Sequence, residues 1–246
     1  RPLILVAEDD DSNFKLIKAI IGKKCDILWA KNGEDAMLPA DLLATYDFAK
    51  KAAETFRGKM TVWEFWNEQD STGFTAEGAW DYAAALKAAY LGFKAASPEL
   101  PVAIGGYTGT DNIAYADAVM RNGAGEYFDI FNIHTYDSIR DYPEFMETVR
   151  SHMKRFGIEK LPVWFTEHGS RMEGAGRLEN WVPGLKMHSP DQEMLLAEFL
   201  PKAMLTLQNL GAARDFFFVL PPFNEFGGRK DWGMLRRDFT VKPGYA

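Results

Sequence analysis

The stretch Trp63–Gln69, WEFWNEQ, indicates the fold more strongly than any other part of the chain. Its apolar part is rich in aromatic residues, as buried strands often are, and it ends in the polar pair Asn67-Glu68. A second stretch, Val163–Gly169 (VWFTEHG), repeats this pattern and ends in Glu167. Acids directly after apolar strands are typical of parallel α/β folds, whose active sites lie at the carboxyl ends of the strands.

The rest of the chain alternates short apolar strands with amphipathic helices. The predicted strands cover residues 3–7, 26–30, 60–66, 101–106, 129–135, 161–166 and 214–220. The predicted helices cover residues 12–22, 39–56, 75–96, 112–122 and 143–156, and a long helix begins at a Ser189–Gln192 capping box. Alternating βα units imply parallel strands, in a doubly wound sheet or a closed barrel. A (βα)8 barrel takes about 250 residues, so the sequence predicts an α/β, TIM-barrel-like single domain over residues 1–246, with seven or eight parallel strands.

The composition predicts a soluble protein with a packed core. Hydrophobic residues make up 47% of the chain and charged residues 26%. The net charge of −7 argues against a nucleic-acid partner. No apolar run approaches the roughly 18 residues of a membrane span, no signal peptide is visible, and the lone Cys25 rules out an internal disulfide. We therefore expect a monomer without nucleic-acid or membrane partners. The compartment is not assigned, although a recombinant product is expected in the cytoplasm.

Glu68 and Glu167 are the candidate catalytic residues. Cleavage of a glycosidic bond requires two carboxyl groups, one to protonate the leaving oxygen and one to attack the anomeric carbon. Two acids that face one pocket from different strand ends would meet this requirement. The alternative is that each glutamate is an ordinary solvated acid at the end of a strand.

Three motifs, WEFWNEQD, FNIHTYD and VWFTEHGS, resemble those of glycoside hydrolase clan A, the retaining β-glycosidases on (βα)8 barrels. The resemblance covers about residues 40–246, including the tail WGMLRRDFTVKPGYA. It implies that Glu68 is the acid/base, that Glu167 is the nucleophile and that Asn67 binds the sugar 2-hydroxyl. It also implies that His134 and Tyr136 line the pocket, with a hydrogen bond to the nucleophile.

Two tryptophans are further candidates for substrate binding. Trp181 lies in the long loop after the predicted nucleophile strand, and Trp232 follows the last strand. Either ring could stack on a sugar or simply pack its own loop. His152 and His188 lack metal-ligand spacing with other ligands, so we expect neither a metal nor a cofactor. The expected partner is an oligosaccharide or β-glycoside.

Residues 1–37 resemble a different family, the response-regulator receiver domains, which have a flavodoxin-like fold. The acids after the first strand, Glu8 and Asp9, match the magnesium-binding pair of that family, and KNGEDAM matches its second helix. The phospho-accepting strand of that family is missing. About 37 residues are too few to fold alone, so we interpret the chain as an engineered chimera of a receiver-like βαβ segment and a glycosidase-like segment. The sequence thus predicts a retaining β-glycosidase site with weak or lost activity; the alternative is a non-catalytic scaffold built from two folds.

Overall fold

A computed structural model describes residues 3–7, 26–30, 41–75, 77–169, 189–225 and 230–245. The predicted helix at residues 12–22, the acids Glu8 and Asp9, Cys25 and Trp181 lie outside the described residues. The chain forms two compact units, the first comprising residues 1–108 and 112–130 and the second residues 109–111 and 131–246. A single domain over residues 1–246 stays a prediction.

The described elements follow the predicted alternation. The strands are β1 (Leu3–Ala7), β2 (Asp26–Ala30), β3 (Trp63–Asn67), β4 (Val102–Gly106), β5 (Phe131–Asn132), β6 (Val163–His168), β7 (Arg214–Phe217), β8 (Asn224–Glu225) and β9 (Lys230–Asp231). The helices are α1 (Leu42–Thr55), α2 (Ala79–Ala96), α3 (Ile113–Arg121), α4 (Tyr142–Arg155) and α5 (Pro190–Asn209), with short 3-10 turns at Ile139–Asp141 and Pro243–Tyr245.

The parallel strands among the described residues lie in three small sheets. In the first unit β1 pairs with β2 and β3 pairs with β4, while in the second unit β6 lies between β5 and β7. The strands β8 and β9 form an antiparallel pair. Parallel pairing was predicted and is observed, but these pairings among the described residues do not amount to the predicted closed barrel of seven or eight strands.

The first unit has a core made largely of small side chains between α1 and α2. Ala49 and Ala53 of α1 are buried against Ala89 and Phe93 of α2, and Val102 of β4 joins them. The ring of Trp63 stacks on Phe93 with their centroids 4.9 Å apart. Helix α1 begins where the Oδ1 of Asp41 accepts hydrogen bonds from the backbone N–H groups of residues 43 and 44.

The side chain of Tyr82 in α2 forms hydrogen bonds to both strands of the β3–β4 pair. Its hydroxyl donates to the carbonyl oxygen of Phe65 and accepts from the N–H of Gly105, each at 3.0 Å. The side chain is fully buried, and burial raises the pKa of this phenol well above its usual range, so it stays neutral. The hydroxyl therefore supplies a hydrogen-bond partner to one backbone group in each of the two strands.

Replacing Tyr82 with phenylalanine is expected to lower the free energy of unfolding by about 2 kcal/mol, because a buried N–H and a buried carbonyl lose their partner. Urea unfolding of the two proteins would measure this difference. The matched control is Tyr245→Phe, at a tyrosine that is 55% exposed, where we expect a change below about 0.5 kcal/mol. Equal losses in the two variants would contradict the assignment.

The second unit is organised around β6 and α5. Ser189 caps α5, since its Oγ accepts from the N–H of Gln192 at 3.3 Å, as the capping box predicted. The guanidinium of Arg236 donates to both carboxylate oxygens of Glu193, at 2.8 and 2.6 Å, and to the carbonyl of Val241. These contacts hold the C-terminal segment against α5.

In the part of the chain that the structure describes, no helix is both long enough and apolar enough to cross a membrane.

Candidate active site

Glu68 lies directly after β3, in a turn held against the end of β4. Its N–H donates to the carbonyl oxygen of Gly106 at 2.9 Å, and its own carbonyl accepts from the N–H of Ser71 at 2.9 Å. Asn67, the last residue of β3, pairs with Gly106 and is half-buried, as is Glu68. Backbone contacts on both sides thus fix the place where Glu68 leaves the strand.

The backbone around Asn67 is strained. Trp66 has φ +74° and Glu68 has φ +46°, both in the left-handed region that residues other than glycine rarely adopt. The indole N–H of Trp66 donates to the carbonyl of Phe74 at 3.2 Å, which helps to hold this conformation. Strained residues persist only where the surrounding structure fixes them, and they cluster at functional sites.

Gly105 permits the close approach of β4 to this turn. A Cβ at residue 105 would lie 2.6 Å from the carbonyl oxygen of Phe65 and 2.9 Å from that of Trp66. The carbonyl of Gly105 accepts from the side-chain amide of Gln69 at 2.8 Å. Only glycine fits at this position without displacing the backbone that precedes Glu68.

Two further acids surround the turn. The Oε1 of Glu64 accepts from the N–H of Gly106 at 3.3 Å. The carboxylate of Asp70 accepts from both the N–H and the hydroxyl of Thr108. Burial raises the pKa of Asp70 above its usual range, and the charge of Glu68 adds to the increase, while the hydrogen bonds from Thr108 oppose it.

In the second unit, Glu167 lies near the carboxyl end of β6 beside two of the predicted pocket residues. The hydroxyl of Tyr136 donates to its Oε2 at 2.6 Å. The Nδ1 of His134 lies 3.7 Å from the same oxygen, and the histidine is fully buried, whereas the side chain of Glu167 is 23% exposed. A partly exposed carboxylate with a hydrogen-bond donor on one oxygen is held in one orientation and still reaches solvent.

Thr166 and Asn132 form a layer beneath this cluster. The side-chain amide of Asn132 donates to the hydroxyl oxygen of Thr166 at 2.7 Å, and its Oδ1 accepts from the N–H of Thr166 at 3.1 Å. The Nε2 of His134 lies 3.2 Å from the same hydroxyl. The imidazole is therefore contacted at both ring nitrogens, by the hydroxyl of Thr166 and by the carboxylate of Glu167.

The backbone of β6 is irregular at Glu167. The register with β7 shifts between Phe165 and His168, so that β6 carries one extra residue there. Such a bulge changes the direction in which a side chain points and is common next to active sites. A Cβ at Gly169 would lie only 3.0 Å from the ring of Tyr136, so the glycine allows this ring to approach the backbone.

The predicted site residues fall in both units. The first unit holds Asn67 and Glu68. The second unit brings Glu167, His134 and Tyr136 together. Trp232 is only 4% exposed and its ring meets that of Tyr136 edge-on, with the centroids 4.9 Å apart. Substrate contact by Trp232 stays a prediction, as does the pairing of Glu68 with Glu167.

Sequence reasoning missed several residues that hold the site in place. Asp70, Thr108, Asn132, Thr166 and Gly169 were not singled out. Asp70, Asn132, Thr166 and Gly169 lie inside the three quoted motifs, so membership of a motif was a usable signal for these four. Thr108 and Asn132 act through contacts across more than 30 residues, which the sequence alone does not reveal.

Comparisons with known proteins identify similar structures but no similar sequences. No protein-family model and no curated protein matches the chain. A glucosidase from Croceicoccus marinus superposes with a TM-score of 0.68 at 14% identity, over 97% of this chain and 58% of the glucosidase. A family 39 glycoside hydrolase from Bacteroides cellulosilyticus WH2 superposes with a TM-score of 0.65 at 18% identity, over 99% of this chain and 56% of the hydrolase. A fungal β-1,4-galactanase superposes with a TM-score of 0.62 at 13% identity, over 98% of this chain and 84% of the galactanase.

These likenesses concern the fold. The chain has an α/β fold that resembles TIM-barrel glycoside hydrolases, which agrees with the resemblance drawn from residues 40–246. It spans little more than half the length of the glucosidase and of the family 39 enzyme.

Proposed function

We propose that this chain carries the catalytic site of a retaining β-glycoside hydrolase, with Glu167 as the nucleophile and Glu68 as the acid/base. The observation that carries the proposal is the environment of Glu167 within the second unit. It lies near the end of a parallel strand, partly exposed, and accepts a hydrogen bond from the hydroxyl of Tyr136 at 2.6 Å. The substrate would be a β-glycoside or an oligosaccharide, and its sugar is not assigned.

The surroundings of Glu167 suit a nucleophile. Hydrogen bonds to the charged form of a carboxylate stabilise that form, and a nucleophilic carboxylate must be ionised to attack. The hydroxyl of Thr166 already accepts from Asn132, so its own hydrogen can be donated to Nε2 of His134. In the tautomer of His134 with the ring proton on Nδ1, this nitrogen lies 3.7 Å from Oε2 of Glu167, and the positive end of its N–H bond stabilises the carboxylate electrostatically.

In the proposed reaction Glu167 attacks the anomeric carbon while Glu68 protonates the departing oxygen. Glu68 then removes a proton from water, which attacks the glycosyl–Glu167 ester and releases a sugar of retained configuration. Asn67 would bind the 2-hydroxyl. Trp181 and Trp232 would line the sugar site, with Trp232 also supporting Tyr136.

A weak activity is proposed because the segment before residue 40 resembles a receiver domain. The acids Glu8 and Asp9 would take the place of sugar-binding residues, and displacing a reacting group by about 1 Å can cost roughly 100-fold in rate. The parallel β1–β2 pair, in register from Leu3 with Asp26 to Ala7 with Ala30, is a feature of both parent folds, so the proposed separate origin rests on the sequence resemblance of residues 1–37. The second candidate is therefore a non-catalytic chimeric scaffold.

The test is covalent labelling with activated 2-deoxy-2-fluoro-β-glycosides. The fluorine slows both chemical steps and a good leaving group speeds the first, so the glycosyl–enzyme accumulates on a retaining enzyme. We expect one sugar per chain, located by peptide mass spectrometry on Glu167, and no label on Glu167→Gln. A label on another residue would overturn the assignment. A folded protein left unlabelled by gluco-, galacto- and xylo-configured reagents would favour the scaffold.

A further inference from the structure

The side chain of Asp70 attaches the turn that follows β3 to the segment after β4. Its Oδ1 accepts from the N–H of Thr108 at 3.0 Å and its Oδ2 accepts from the hydroxyl of Thr108 at 2.8 Å. Its backbone carbonyl accepts from the side-chain amide of Asn112 at 3.0 Å. Two residues before Asp70 stands Glu68, in its strained left-handed conformation.

We propose that Asp70 is a positioning residue for Glu68, because it locks the turn that carries Glu68 onto the segment between β4 and α3. The effect of Asp70 on catalysis rests on the proposed function. The lock itself, meaning the hydrogen bonds between Asp70 and Thr108, does not. The backbone bonds of Glu68 to Gly106 and Ser71, and the bond from the side-chain amide of Gln69 to the carbonyl of Gly105, hold the same turn against β4. Asp70 adds a contact to the segment beyond β4, and a residue with positive φ stays in place only where the surrounding structure holds it.

The hydrogen bonds between Asp70 and Thr108 form although the ionised carboxylate of Asp70 is in an unfavourable environment. Asp70 is half-buried, and both desolvation and the nearby charge of Glu68 oppose its ionised form. The surrounding tyrosines do not add charge, since burial raises the pKa of Tyr82, Tyr107 and Tyr115. The hydrogen bonds from Thr108 to the charged form offset part of this cost, although the pKa of Asp70 stays raised.

Substitution with asparagine separates the lock from the charge. In the variant Asp70→Asn the side-chain oxygen can still accept from the N–H of Thr108, and the new amide can donate to the Thr108 hydroxyl. Substitution with alanine removes both contacts. A positioning role therefore predicts that Asp70→Asn behaves like the unaltered protein, whereas Asp70→Ala does not.

The first measurement is hydrogen exchange at the amide of Glu68, which needs no enzymatic activity. We expect exchange at least about 10-fold faster in Asp70→Ala, and within about 3-fold of the unaltered rate in Asp70→Asn. The amide of Ile104, which donates to the carbonyl of Ile130, is the internal reference, because its rate changes only if the variant loses stability more widely. The surface control is Asp111→Ala, at an exposed acid. Equal exchange at Glu68 in the alanine variant and the unaltered protein would overturn the proposal.

The second measurement is the kinetics of glycoside hydrolysis. Asp70→Ala is expected to lower kcat by about 100-fold with KM little changed, since displacement of a reacting group by about 1 Å has this effect, and Asp70→Asn should restore most of kcat. If kcat fell equally in Asp70→Ala and Asp70→Asn, the hydrogen bonds to Thr108 would not be what matters, and the positioning role would be overturned. If the exchange data follow the expectation while the unaltered protein hydrolyses no glycoside, the lock stands and the proposed function fails.

Discussion

Replacing Glu167 with alanine is expected to lower the hydrolysis of aryl β-glycosides by at least about 10³-fold, because removal of a covalent nucleophile costs several orders of magnitude in rate. The measurement is release of the aryl group across a panel of β-glycosides, with the unaltered protein run in parallel. The fold should survive, since the side chain of Glu167 is partly exposed and its hydrogen bond from Tyr136 is only partly buried. Glu159→Ala is the matched control, because Glu159 is an exposed acid in the segment before β6 and its loss should leave the rate unchanged.

Added azide gives the same experiment a second readout. In Glu167→Ala the anion can occupy the space of the lost carboxylate and attack from the same side, so a β-glycoside should yield an α-glycosyl azide. In Glu68→Ala the nucleophile is intact, so azide should attack the glycosyl–enzyme from the opposite side and yield the β-azide. The configuration of each product, read by NMR, therefore assigns the two roles. Reversed configurations would exchange the roles of Glu68 and Glu167, and equal hydrolysis by Glu167→Ala and the unaltered protein would reject Glu167 as the nucleophile.

The alternation of strands and helices was well predicted because it follows from hydrophobic periodicity. The predicted bounds of the first two strands, residues 3–7 and 26–30, coincide with β1 and β2. The predicted and observed bounds differ where local contacts change the backbone. The helix predicted from residue 75 begins only at Ala79, after the turn around Gln69 and Asp70 has closed and Gly78 has taken the cap position. The strand predicted over residues 129–135 has a ladder only at residues 131–132, with isolated bridges at Ile130 and Thr135.

The site was predicted less completely, for a physical reason. Motif resemblance brought Glu167, His134 and Tyr136 together; in the structure these three side chains are neighbours, while their roles stay predictions. The exact direction of a side chain depends on backbone detail that no periodicity encodes. The extra residue in β6 before His168 and the left-handed backbone at Trp66 are both of this kind. They arise from tertiary contacts, such as that of Trp66 with Phe74, and not from local propensity.

Replacing Gly92 with alanine is expected to lower the free energy of unfolding by about 2 kcal/mol, although alanine is the better helix former by up to about 1 kcal/mol. Gly92 lies where α2 crosses α1. A Cβ there would collide with the carbonyl oxygen of Tyr46 and would lie 2.9 Å from the Cβ of Ala49 and 3.0 Å from the backbone nitrogen of Lys50. Because two of these atoms belong to the backbone of α1, no side chain can rotate away to make room, and the two helices must separate.

Separation of α1 and α2 would weaken packing along their whole interface, because the core of the first unit consists largely of small side chains. Ala49, Ala53 and Ala89 are almost fully buried, so they pack only while the helices stay close, and a wider gap would open voids along their whole interface. Urea unfolding of Gly92→Ala measures the loss, and Gly92→Val, with two more carbon atoms, should lose more. Gly73→Ala is the control, since its Cβ would meet Ser71 Oγ at an ordinary 3.5 Å. If Gly92→Ala proved as stable as that control, α1 and α2 would not approach each other as closely as the structure describes, and the small-residue interface would lose its role as the core of the first unit.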